Sequence, residues 1–188
     1  MGQRQDLLAG AKRCISERGY AHTTARDIVA ASGANLAAIG YHFGSKDALL
    51  SAAVIDTFNE WGDAIGDAIS EDLGDTSEAR LEGFISGLLG GAAAERAILV
   101  ASVQAYAQAE FAPEVREQIA RTYVESRRDL AALVIGRQSE DVSPGEAATV
   151  GSLALALING AVLQWLVDPD SAPSAQDLAA GLRRVVKG

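Results

Sequence analysis

Few residues in this chain could make or break covalent bonds. His22 and His42 are the only histidines and Cys14 the only cysteine, and the sequence holds no GxSxG, no HExxH and no glycine-rich phosphate loop. Without converging acid, base and nucleophile, an enzyme is the weaker class of function. A lone thiol has no second sulfur to resolve an oxidised state, so Cys14 reads as a packed helix residue. No cysteine zinc cage or internal disulfide can form, which fits a reducing, cytoplasmic setting, and neither metal nor cofactor is expected. Hydroxyl, amide and cationic groups instead crowd into one short region: Thr24, Arg26, Asn35, Tyr41, His42 and Lys46. Groups of these types hold phosphates and touch base edges.

The charge distribution points the same way. Residues 1–50 carry six basic and four acidic side chains, a balance of +2, whereas the other residues carry ten basic and 21 acidic, a balance of −11. A polyanion would be repelled by the acidic body and could approach only the N-terminal end. The first residues mix charges into every turn and lack the apolar core of a signal peptide, so secretion is not expected.

These groups need elements to position them, and nearly every segment reads as helix. Alanine and leucine dominate, strand-length alternation is absent, and the four prolines fall at breaks. The spacing predicts helices over about 3–18, 24–31, 35–43 and 46–70, then about 77–91, 94–109, 114–136, 144–167 and 174–187. The fold class is therefore all-α, with about nine helices. Thr24 with Asp27, and Ser143-Pro144-Gly145-Glu146, have the pattern of capping boxes; Asn35 and Ser45 can cap the third and fourth helices. The run 147–167 holds no charge and is long enough to reach across a ~30 Å hydrocarbon layer. Thr149, Ser152, Asn159 and Gln164 within it, and acidic flanks, argue instead for a helix buried in a core or at a subunit interface, with no membrane.

Two short helices joined by a glycine-containing turn over residues 24–43 have the layout that sets a second helix into the DNA major groove. At about 100° per residue, Leu36, Ile39 and Phe43 cluster towards the neighbouring helices, and Ala37, Ala38 and Tyr41 point to a groove with His42 beside them. The string TTARDIVAASGANLAAIGYHFGSKDALL, residues 23–50, closely resembles the DNA-binding region of the TetR family of bacterial transcriptional regulators. The run Tyr41-His42-Phe43-Gly44-Ser45-Lys46 with Leu49 and Leu50 behind it makes the likeness specific. The resemblance implies backbone contacts from Thr24, Arg26 and Lys46, with Asn35 at the start of the reading helix, and leaves Arg4 and Lys12 within reach of phosphate. Three positions depart from the family pattern. Gly40 removes an expected contact, Leu36 replaces a polar or basic residue, and Val29 replaces a small alanine, which predicts slightly wider packing.

For the remainder, the resemblance implies a helix-turn-helix head over 1–46 and a ligand-binding and dimerisation body over 47–188. The partners would be a palindromic double-stranded operator, a second copy paired through 144–187, and a small-molecule effector. Candidate walls for the effector are Phe58, Trp61, Phe84, Leu88, Val103, Tyr106, Phe111, Tyr123 and Trp165, with Gln104 and Gln164 as polar anchors. The body has no histidine and no lysine except Lys187, which favours a neutral or cationic effector. A ligand-responsive repressor is the leading expectation. The rival classes are a helical protein-interaction module without DNA binding and an enzyme.

Overall fold

The computed structural model describes residues 2–70 and 76–187, and their regular structure is helical throughout. The helices are α1 (Gln3–Arg18), α2 (Ala25–Ser32), α3 (Leu36–Phe43), α4 (Lys46–Ser70), α5 (Ser77–Gly91), α6 (Arg96–Gln108), α7 (Pro113–Ile135), α8 (Pro144–Val167) and α9 (Ala175–Lys187). A 3₁₀ turn, Ser139–Asp141, precedes α8. The expected all-α fold with about nine helices is thus the observed one.

Packing divides the chain into two compact units, Met1–Glu60 with Glu95–Thr122, and Trp61–Ala94 with Tyr123–Gly188. This division differs from a boundary after Lys46. The first part of α4 and all of α6 belong with the head because Leu49, Leu50, Ala53 and Val54 share one buried cluster with Ile98, Ala101 and Ala105.

In the first unit, α1 buries Leu7, Leu8, Ala11, Cys14 and Ile15, the stripe that its spacing of three and four residues dictates. Leu7, Ile15, Ile28, Leu49 and Leu50 are wholly enclosed, each contributing about 1.5–3 kcal/mol by leaving water. Cys14 is a packed thiol whose pKa is raised, chiefly by burial. α1 and α2 pack directly together, with Val29 partly buried against the same cluster. At Gly10 the helices approach so closely that an added Cβ would lie 2.8 Å from the Ser32 Cβ. Lys12 ties α1 to α4, its ammonium 2.7 Å from both Asp56 and Glu60. Burial alone would lower its pKa, but hydrogen bonds to the two carboxylates outweigh that and raise it.

The second unit packs α5, the latter part of α7, α8 and α9 around Leu81, Ile85, Leu130, Val134 and Ala154. Arg80 of α5 ends α7: its guanidinium donates to the carbonyls of Val134 at 3.0 Å and Ile135 at 3.1 Å. These are carbonyls that a helix C-terminus leaves without partners. Gly136, at φ 78°, makes the turn that follows, a backbone conformation costly for any residue with a Cβ. Ser143 and Glu146 form the capping box of α8, the Glu146 N–H donating to the Ser143 hydroxyl at 3.2 Å and the Glu146 carboxylate accepting from the Ser143 N–H at 2.9 Å. One turn later α8 widens into a π-helical turn, Ala147–Gly151. There its backbone touches α7 so tightly that a Cβ on Gly151 would fall 1.8 Å from the Arg127 carbonyl oxygen.

Two outcomes follow for stability. Gly151→Ala lowers the free energy of unfolding by more than about 3 kcal/mol, at the upper end of what overpacking costs. Gly145→Ala, whose Cβ would meet only the Ser143 hydroxyl at 3.9 Å, changes it by less than about 0.5 kcal/mol. Urea denaturation of the two variants beside the parent checks this. The capping carboxylates Asp27, Glu146 and Asp177 all have lowered pKa values, because each accepts hydrogen bonds first from the hydroxyl and then from the N–H of its cap residue. A folded-state pKa below the unfolded one stabilises above the ordinary carboxylate range and is lost as pH falls through the lowered value. Urea midpoints therefore hold level above about pH 5 and fall below it, and Glu146→Gln shallows that acid limb.

Candidate nucleic-acid interface

Of the helix starts in the head, those of α2, α3 and α4 each carry a side-chain cap, whereas α1 follows Gly2 without one. At α2 the Thr24 hydroxyl accepts from the Asp27 N–H at 3.2 Å and donates to the Asp27 carboxylate at 2.6 Å, while the Thr24 N–H donates to the same carboxylate at 2.9 Å. Asp27 also pairs with Arg18 at 3.1 Å. Arg26, which could have been its partner, is exposed and has no ion pair among the described residues. The turn after α2 is made by Gly33, at φ 70°, whose N–H reaches back to the Val29 carbonyl.

At α3 the Asn35 carboxamide oxygen accepts from the Ala38 N–H at 3.0 Å. That cap sets where the helix begins and so which residues face out, and the outcome corrects part of the expected face. Ala38 is only 5% exposed and belongs to the head core, whereas Leu36 is 57% exposed. Ile39 is buried and Phe43 partly so, as expected. The outward arc is therefore Leu36, Ala37, Gly40 and Tyr41, and Tyr41 is 86% exposed. A small side chain at 38 lets α3 settle against the core, and the larger leucine is left outside. His42 is half-buried at the edge of the arc, its ring edge-on to Tyr41 at 4.8 Å. The exposed Arg4 sits with its guanidinium 5.2 Å from the centre of the Phe43 ring.

At α4 the Ser45 hydroxyl accepts from the Ala48 N–H at 3.0 Å and donates to the Glu114 carboxylate at 2.9 Å. Glu114 has a lowered pKa because it accepts from its own backbone N–H and from Ser45. Lys46 is half-buried, 3.1 Å from Asp47 and donating to the Thr23 carbonyl at 3.4 Å, which brings the starts of α2 and α4 side by side. Tyr20 braces the same corner, its hydroxyl donating to the Asp47 carbonyl at 3.4 Å. Its pKa is pushed up by burial and by the Asp47 charge. Thr24, Arg26, Asn35, Ala37 and Tyr41 are exposed, as is Arg4, and His42 and Lys46 are half-buried. Lys12 is committed to Asp56 and Glu60. The sequence reading turns Leu36 towards the core and gives Ser45 only the role of a cap, and it leaves Glu114 unread. The Asn35 cap was visible there, but not that it would turn Leu36 outward.

The expected effector walls are dispersed. In the first unit Phe58 packs against the head core, Gln104 is half-buried, Val103 and Tyr106 are 36% and 40% exposed, and Phe111 is 81% exposed. In the second, Leu88 is buried and Phe84 packs on the core, while Trp61 lies against Gly91, where a Cβ would meet its ring at 2.9 Å. Tyr123 accepts from the Asn159 amide at 3.3 Å, and Trp165 is half-buried. Phe111 and Gln164 do not serve as walls here. The first projects into solvent after the end of α6, and the second is exposed and donates its amide to the Gly160 carbonyl of its own helix at 3.2 Å. A small, mostly apolar cleft in the second unit is lined by Leu81, Ile85, Leu157, Leu178 and Leu182 together with Glu78 and Glu82. Among the described residues no cluster of His, Cys, Asp or Glu could hold a metal ion.

Residues 7–53 match the family described as "Bacterial regulatory proteins, tetR family", and residues 77–187 match "BetI-type transcriptional repressor, C-terminal". Over 52 residues the chain is 42% identical to the HTH-type transcriptional repressor AcnR of Corynebacterium efficiens, and over 49 residues 45% identical to AcnR of Corynebacterium glutamicum. These stretches cover 28% and 26% of the respective relatives and the same shares of this chain. Similar crystal structures include a transcriptional regulator from Rhodococcus sp. Rha1, at TM-score 0.65 and 24% identity over 95% of this chain and 94% of that one. The multidrug binding protein EbrR complexed with proflavin matches at TM-score 0.65 and 24% identity, covering 97% of this chain and 99% of its own. A protein from Saccharomonospora viridis in complex with choline matches at 0.64 and 22%, over 98% and 95%. At such identities these structures show the shared all-α fold. The families matched are regulators and not enzymes. From its head and from the long match that follows, this chain belongs to the TetR family of bacterial transcriptional regulators, with a BetI-type C-terminal region.

Proposed function

We propose that this protein is a cytoplasmic transcriptional repressor that binds a palindromic operator as a dimer and is released by a small molecule. The observation that carries the DNA reading is the outward arc of α3 flanked by the neighbouring starts of α2 and α4. Thr24 and Arg26 are exposed, Lys46 reaches the Thr23 carbonyl next to the start of α2, and these groups with His42 would be the ones offered to phosphate. Thr24 and Lys46 already hold partners of their own, but a lysine ammonium has three donors, and here two are engaged, at 3.1 and 3.4 Å.

The dimer reading rests on α8 and α9, residues 144–187. Past Glu146, α8 carries no charge and leaves Leu153, Leu163 and Val167 exposed, and α9 leaves Val185 81% and Val186 77% exposed. Two copies laid together there would cover these groups, and a two-fold protein matches a palindromic site. The apolarity of α8, long enough to cross a membrane by length and composition, is in this reading that of a subunit interface.

The effector is neutral or cationic. Residues 51–188 carry 21 acidic against ten basic side chains, a balance that disfavours an anion, and half-buried Trp61, Phe84, Tyr123 and Trp165 suit an organic cation. Choline and proflavin, bound by two proteins of the same fold, are molecules of that chemical type.

Lys46→Ala weakens binding to all duplexes alike and reduces the slope of log affinity against log salt by about one phosphate contact; titrations showing affinity and slope unchanged would remove the phosphate assignment. Sedimentation at micromolar concentration gives a dimer, and Leu163→Glu shifts it towards monomer. A parent protein that sediments as a monomer rejects pairing through α8 and α9.

A further inference from the structure

We propose that α3 reads its DNA site chiefly through thymine methyl groups, with Leu36 as the specificity-determining side chain; this rests on the reading that the head binds DNA. The outward arc offers almost nothing that can hydrogen-bond a base. It consists of Leu36, 57% exposed, then Ala37, Gly40 and Tyr41, and only the Tyr41 hydroxyl is polar. No Arg or Lys lies between Leu36 and Phe43, so the bidentate guanine contact is missing. Asn35 is held as the cap of α3, its carboxamide oxygen accepting from the Ala38 N–H at 3.0 Å, which takes one of that oxygen's two acceptor sites and fixes the group towards its own helix. His42 lies half-buried at the arc's edge.

The one apolar group that base pairs present in the major groove is the C5 methyl of thymine. Leu36 and Ala37 present methyl groups at the start of the reading helix, where side chains reach furthest into the groove. Gly40, one turn further along the same arc, makes the approach closer: a Cβ added there would meet nothing within 4 Å of the protein. The glycine is therefore not required by the head's own packing, and it leaves room on the groove side of the helix. An exposed leucine held between capped helix starts gains its burial when a methyl-bearing base pair is docked against it.

The test uses the full-length protein and duplexes selected from a randomised library. Selected half-sites carry thymine at positions facing Leu36. Replacing those thymines by deoxyuridine, which removes the methyl and keeps the pairing, weakens binding about three- to fivefold per methyl. Leu36→Ala, at an exposed position, binds the thymine and uracil duplexes alike. Equal binding of the two duplexes by the parent protein, or unchanged discrimination in Leu36→Ala, overturns the proposal. Failure to enrich any duplex is a separate result: it removes the DNA-binding reading, and this proposal with it.

Discussion

A hydrogen bond of 3.0 Å between the Ala38 N–H and the Asn35 carboxamide decides how the head can be used. α3 has only eight residues, so its first turn fixes the rotation of the whole helix. With the helix started at Leu36, Ala38 and Ile39 turn into the core and Leu36, Ala37, Gly40 and Tyr41 turn out. A start one residue later would rotate the pattern by about 100° and put a different set of side chains before the groove. Gly33, which closes α2 in the left-handed conformation, and the Asn35 cap two residues on together specify that start.

Much of this was legible in the sequence because caps and stripes are local. Thr24 with Asp27 and Ser143 with Glu146 appear as reciprocal boxes where the side-chain types placed them. The long helices end close to the residues that their spacing marks. Outward direction on α3 was not legible, since alanines and a glycine give an eight-residue helix too little contrast to place Leu36 and Ala38 correctly. Packing between distant segments was also hidden. Nothing local to Ile98, Ala101 or Ala105 says that they share a core with Leu7 and Ile15, and nothing near Gly151 says that the Arg127 carbonyl stands against it. Phe111 shows the converse failure, a large aromatic that composition assigns to an interior and the chain leaves at 81% exposure.

The two units are held by different means. The first rests on interdigitated leucine and isoleucine side chains between α1, α2, α4 and α6, with the Lys12 ion pairs at its edge worth little individually. The second depends more on backbone proximity: the Arg80 guanidinium closes the last carbonyls of α7, and a glycine lets α8 touch that helix. In this unit α8, apolar past Glu146, still exposes Leu153 and Leu163, and α9 exposes Val185 and Val186, surface poorly matched to water.

The Ser45–Glu114 contact bears on how strongly such a head can grip a polyanion. The start of a helix carries roughly half a positive charge, and at α4 that charge already faces a carboxylate 2.9 Å from its capping hydroxyl. An arriving phosphate meets a resident competitor there, so the pull of this corner is the difference between two negative groups contending for one dipole. Counting cations on the head therefore overstates its attraction for nucleic acid, and the first turn of α7, although it lies outside the helix-turn-helix, helps to set the strength of the embrace.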